Sequence, residues 1–97
     1  MEETDKKTRQ IIEGKIDKVA TRLPLSQQDI FMIKEFAMQI FENKILRSNI
    51  WTLEAAIKVT IEVVYRLVYI DPKKIDLLRV MDPIDMERHL INSAEIA

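Results

Sequence analysis

Cysteine and histidine, the residue types that most often build metal centres and activated nucleophiles, are nearly absent from this sequence. The 97 residues include no cysteine, one histidine and one glycine. Thiolate zinc sites, iron–sulfur clusters, disulfides and thiol nucleophiles all need cysteine, so this sequence cannot form them. A single histidine cannot build a multi-histidine metal site, and a single glycine cannot build a Gly-rich phosphate loop. We therefore expect no metal and no cofactor.

The remaining candidates for catalysis have simpler explanations. His89 would need a nucleophile and an orienting group beside it to act as a base, and we expect it to be a solvated or helix-packing histidine. A capping box accounts for the carboxylate pair Asp82 and Asp85. The candidate nucleophiles are serines at expected helix caps or ends, namely Ser26, Ser48 and Ser93. Because each has a structural role there, we predict that the protein is not an enzyme.

The charge balance argues against a generic nucleic-acid or membrane surface. Fifteen basic and sixteen acidic residues give a formal net charge of -1. Residues 71–97 carry four basic and six acidic side chains, and no segment forms a polybasic tail. No uncharged stretch approaches the ~20 residues that span a bilayer, and Met1 is followed by two glutamates rather than by a signal sequence. We expect a soluble, cytoplasmic protein.

Apolar residues recur at the three- and four-residue spacing of amphipathic helices. The sequence predicts an all-α domain over residues 6–97, preceded by a frayed terminus at residues 1–5. Caps and prolines divide the domain into five helices: 6–22, Ser26 to Leu46, Leu53–Ile70 after an N-cap at Thr52, 72–80 and 83–94. Two Asp-Pro pairs, Asp71-Pro72 and Asp82-Pro83, mark the last two starts.

The third helix carries a single narrow stripe of charge. Glu54, Lys58, Glu62 and Arg66 stand four residues apart, and the rest of its circumference is apolar or weakly polar. One neighbour cannot cover so wide an apolar arc. We therefore expect this helix to be central and packed by several others.

This pattern resembles the cyclin box, specifically one core repeat of transcription factor IIB and archaeal transcription factor B. Residues 16–25 are similar to the first-helix phrase I-x-x-I/V-A-x-x-L-x-L, and residues 52–56 to the start of that family's central helix, which ends here in Tyr65-Arg66-Leu67. The closing helix-turn-helix of the family is matched by apolar positions, namely Ile75, Leu78, Met81, Ile84, Met86 and Leu90. The resemblance covers residues 12–92 and implies a five-helix cyclin-box-like globule.

The sequence also departs from that family. Its zinc ribbon needs cysteines, a second repeat is absent, and Val80 stands near the glycine of the family's helix-turn-helix. The basic, glycine-containing loop before the third helix is replaced by residues 47–51. The expected recognition helix carries Asp82, Asp85 and Glu87, and carboxylates repel the phosphates that dominate DNA affinity.

Three functions remain open. The first is a non-catalytic adaptor or regulator of transcription that binds a protein of the transcription or cell-cycle machinery, with Arg47, Trp51, Lys73 and Lys74 as candidate contacts. The second is a DNA-binding regulator, dimeric as small readers are, using residues 72–92 as a helix-turn-helix. Its candidate contacts are Lys44, Arg79, Arg88, His89 and Asn92. The third is a self-assembling structural protein, viral or accessory.

Some of these residues have two interpretations. Trp51 is either an interface anchor or a lid on the core over Phe41 or Ile45. Lys44, Arg47, Lys73 and Lys74 form either one basic edge or separate solvated charges. Four methionines predict either an adaptable partner groove or core filling, namely Met32, Met38, Met81 and Met86.

Overall fold

Helices make up nearly all of the computed structural model, which describes residues 2–47 and 51–96, with side chains for 6–46 and 51–91. Helices α1 (Glu2–Ala20), α2 (Gln27–Arg47) and α3 (Leu53–Tyr65) come first, and α3 continues into a π-helical turn, Arg66–Ile70. A 3-10 helix, Pro72–Arg79, and helix α4, Pro83–Ile96, follow. No strand occurs within these ranges. The predicted all-α fold class of five helices is confirmed.

Side-chain caps start three of the helices where the sequence predicts them. Each cap oxygen accepts a hydrogen bond from a backbone N–H two or three residues later, which satisfies a donor that has no partner inside the helix. The bonds are Asp29 N to Ser26 Oγ at 3.0 Å, Ala55 N to Thr52 Oγ1 at 3.1 Å and Ile84 N to Asp82 Oδ2 at 3.1 Å.

The Asp71-Pro72 start differs from the prediction. The Asp71 side chain makes no cap hydrogen bond and instead lies 3.4 Å from Lys74 Nζ. The backbone N–H of Lys74 donates to Asp71 O at 3.0 Å, which closes a 3-10 turn. The segment after Pro72 is therefore a 3-10 helix.

The third helix does not remain α-helical to Ile70 as predicted. After Tyr65 the chain widens into a π-helical turn, which ends when the N–H of Asp71 donates to Arg66 O at 3.0 Å. Asp71 has φ -129° and ψ 57°, outside the α region, because a residue before proline is disfavoured there.

Helix α2 contacts every other helix, namely α1, α3, the 3-10 helix and α4. Helix α3 with its π-helical turn also packs against all the other segments, so the predicted central position of the third helix is confirmed and α2 shares it. The core between them is almost entirely apolar. Its one buried hydroxyl in α3, that of Thr60, donates to Ala56 O at 2.8 Å, so it leaves no polar group unsatisfied.

Helix α1 begins at Glu2, before the predicted residue 6, and ends at Ala20. Its buried stripe contains the predicted apolar positions Ile12, Ile16 and Val19.

Gly14 is exposed in the middle of α1, and a Cβ atom added there meets nothing within 4 Å. Because glycine is destabilising inside a helix relative to alanine, we expect Gly14→Ala to raise the free energy of unfolding by about 0.5–1 kcal/mol. Urea denaturation followed by circular dichroism measures this change. A lower stability in the variant would contradict the helical conformation of α1 at this position.

Candidate functional site

A groove of about 350 Å³ runs between α2 and the junction of the 3-10 helix with α4. Phe31 stands at its edge with 63% of its surface exposed. Val80 lies between two lining residues, Arg79 and Met81, and is 82% exposed. The lining is largely apolar, namely Phe31, Met32, Phe36, Leu78, Met81 and Pro83 with Glu35, Gln39 and Arg79.

The groove continues toward the C-terminal end of α2. A second hollow of about 300 Å³ shares Gln39 and Pro83 with the first and extends to Leu46, which is 82% exposed. We call the two hollows together the α2 groove. Exposed apolar residues lie at both ends of the α2 groove, and large exposed apolar side chains beside a concavity are typical of interaction surfaces.

Acidic side chains border the α2 groove. Glu42 and Asp82 line its second half, and neither forms an ion pair with any residue in the described ranges. Glu35 lies 3.5 Å from Arg9, and Arg79 is the cation of the lining. The rim therefore carries more negative than positive charge.

The four methionines fall into two groups by burial. Met38 and Met86 are buried in the core, which they fill. Met32 and Met81 are half-buried and line the α2 groove from opposite sides. Unbranched methionine side chains adapt to irregular partners, so these two suit a binding surface.

Lys44, one of the candidate DNA contacts, lies in an ion pair between α2 and α4. Its Nζ atom is 2.6 Å from Glu87 Oε2, and the two side chains are 13% and 10% exposed. Within the described ranges, no donor, Lys44 included, meets Glu87 Oε2 with the angles of a hydrogen bond. The lysine therefore supplies the main compensation for a nearly buried carboxylate.

Trp51 contacts the same lysine. Lys44 Nζ lies 5.0 Å from the centroid of the Trp51 ring, within the range of a cation–π contact. The ring therefore lies beside the charged end of Lys44, while 37% of the residue remains exposed.

The acidic surface expected for the last helix needs one correction. Glu87, which we placed on the face that repels DNA, is buried against Lys44 because α4 turns it toward α2. Asp82 and Asp85 are exposed as expected. Asp85 lines a shallow cleft of about 220 Å³ with Met81, Arg88 and His89.

The other candidate contacts are scattered over several elements. Arg79 lines the α2 groove, Arg88 and His89 are exposed on α4, and Lys73 is exposed on the 3-10 helix. Lys74 is half-buried beside Asp71. Two cations of the expected basic edge, Lys44 and Lys74, are thus paired with carboxylates. The side chains of Arg47 and Asn92 lie outside those described.

The described residues bring together no group of His, Cys, Asp or Glu side chains that would hold a metal ion. Across the same ranges, no helix has the length and apolar character needed to cross a membrane.

The comparisons with known proteins find no significant match for this chain among protein-family models, curated proteins or solved structures. The cyclin-box resemblance therefore stays a prediction, and the geometry of the surface has to support any functional proposal.

We predict that Lys44→Met lowers the free energy of unfolding by about 3 kcal/mol, because it leaves the Glu87 carboxylate nearly buried and unpaired. The double variant Lys44→Met with Glu87→Leu removes both charges and is expected to recover most of that loss. Equilibrium denaturation in urea measures both values.

Arg9→Met supplies the matched control, since Arg9 belongs to exposed pairs with Glu13 and Glu35 and such pairs contribute about 0–1 kcal/mol. A cost for Lys44→Met no larger than that of Arg9→Met would show that the α2–α4 ion pair does not stabilise the fold.

Proposed function

We propose that this chain is a non-catalytic adaptor that regulates transcription and that it binds a helical segment of a partner protein in the α2 groove. The observation that supports this proposal is the continuous groove between exposed apolar residues at both ends of α2, Phe31 and Leu46. An amphipathic helix that lays its apolar face into such a groove is a common mode of peptide recognition.

The length of the α2 groove defines the partner segment. Phe31 and Leu46 are fifteen residues apart on α2, which corresponds to about 22 Å at the helical rise of about 1.5 Å per residue. A partner helix of about four turns covers that distance. Its anchors would be apolar side chains that enter the hollows beside Met32 and Met81.

The charge of the rim defines the polar face of the partner. Glu42 and Asp82 border the groove without a counter-ion in the described ranges. Lysines and arginines flanking the partner's apolar stripe would complement these carboxylates and accelerate association at low salt. We therefore expect a basic amphipathic helix.

The assignment to transcription depends on the cyclin-box resemblance of residues 12–92, whereas the adaptor role depends on the groove. The two parts of the proposal are separable. A partner of the expected chemistry from another process would remove the first and leave the second in place.

The proposal predicts that Phe31→Glu weakens partner capture at least tenfold, because the new carboxylate places an unpaired charge in the apolar end of the groove. The experiment is affinity purification from host extract with the wild-type chain and the variant, followed by mass spectrometry and titration of the isolated partner. The captured partner is expected to contain a basic amphipathic helix.

Ile11→Glu is the matched control, since Ile11 is another exposed apolar residue of a helix, on α1 and outside the groove. Circular dichroism and thermal melting establish that both variants fold. A partner that binds Phe31→Glu as well as it binds the wild-type chain would overturn the proposal. The proposal would also be overturned if the groove bound only a second copy of this chain.

A further inference from the structure

A further cleft lies on the flank of α1 that faces away from α2. Its lining combines cations with aromatic rings. Its volume is about 140 Å³. Lys15 and Lys18 of α1 line it together with Arg22 of the turn after α1, and Val19, Tyr65 and Tyr69 complete the lining. We call this site the basic–aromatic cleft.

In the part of α1 whose side chains are described, both acids lie on the flank that faces α2. Glu13 Oε2 lies 3.5 Å from Arg9 Nε, Arg9 also pairs with Glu35 of α2, and Asp17 Oδ1 lies 2.8 Å from Lys34 Nζ of α2. The cations of the cleft have no ion pair with any described residue. Although the chain has a net charge of -1, it therefore has a local positive surface that no described carboxylate neutralises through an ion pair.

The two tyrosines are also free for an external ligand. They stand four residues apart at the end of α3 and in its π-helical turn, and they are 39% and 51% exposed. Their ring centroids are 5.9 Å apart with an interplanar angle of 71°. This edge-to-face contact fixes the rings relative to each other while part of each remains open to solvent.

We propose that the basic–aromatic cleft binds single-stranded nucleic acid, DNA or RNA, without base specificity. Phosphates contact Lys15, Lys18 and Arg22, and a base stacks on the exposed ring of Tyr69. Positive grooves with aromatic stacking platforms are how proteins bind single strands without reading their sequence.

The dimensions of the cleft fit such a ligand. Lys15 and Lys18 stand three residues apart on α1, about 4.5 Å at the helical rise of about 1.5 Å per residue, and Arg22 follows in the turn after Ala20. Three cations so placed can contact about three successive phosphates, which lie about 3.4 Å apart along a stacked strand. A duplex is a poorer ligand, because its bases are stacked on one another and cannot reach a tyrosine ring.

This site is separate from the helix-turn-helix expected over residues 72–92 and from the α2 groove. None of its lining residues belongs to either surface. The inference therefore does not rest on the adaptor proposal, and either can fail without the other.

Fluorescence anisotropy of labelled oligothymidine and oligouridine tests the proposal. We expect both to bind the wild-type chain, with a slope of log affinity against log salt of about -2 for three neutralised phosphates. Tyr69→Ala is expected to weaken binding about fivefold or more, and Tyr69→Phe to restore it, because stacking depends on the ring. Lys18→Gln should reduce the salt slope by about 0.7.

Arg88→Gln is the matched control, since Arg88 is an exposed cation of α4 outside the cleft. Wild-type affinity and salt slope in this variant would support the proposal. No binding at low salt would overturn the proposal. So would unchanged binding in Tyr69→Ala, a loss in Arg88→Gln equal to that in Lys18→Gln, or competition by polyglutamate as strong as by oligothymidine, which would assign the cleft to acidic peptides.

Discussion

The structure depends on burying helix α2, which packs against all the other helices. The buried residues of α2 extend over about half of its circumference at about 3.6 residues per turn, so no single neighbour covers them; they are Ile33, Phe36, Ala37, Met38, Ile40 and Phe41. Helices α1 and α3 cover part of this apolar surface. The α2 groove lies where the short 3-10 helix gives way to α4. Folding and the proposed recognition thus use the same apolar helix.

Charge determines which surfaces remain available. The Lys44–Glu87 ion pair attaches α4 to the end of α2 and removes both groups from the solvent-exposed surface. Ion pairs on the α2 flank of α1 likewise use its acids Glu13 and Asp17. What remains is an acidic rim on the groove and a basic cleft on the far side of α1. A molecule with almost no net charge therefore presents two surfaces of opposite sign.

The sequence predicts the helices well because caps and prolines act locally: Ser26, Thr52 and Asp82 accept the expected bonds. It misses the π-helical turn and the 3-10 helix, which result from competition among backbone hydrogen bonds around Pro72. It misplaces Glu87 because periodicity gives a helix face but not the partner that the face meets. The basic–aromatic cleft had a signal, the spacing of Lys15, Lys18 and Arg22, but its meaning requires that α3 bring Tyr65 and Tyr69 beside them.

The central claim is that the α2 groove receives the partner. Photo-crosslinking tests it most directly, with a photoreactive phenylalanine analogue placed at Val80, beside the groove. The control chain carries the analogue at Ile70, which is also exposed but lies outside the lining of the groove. The account predicts that the captured partner crosslinks to the chain labelled at Val80, through a peptide that forms a basic amphipathic helix, and does not crosslink from Ile70. Crosslinking from Ile70 without crosslinking from Val80 would contradict it.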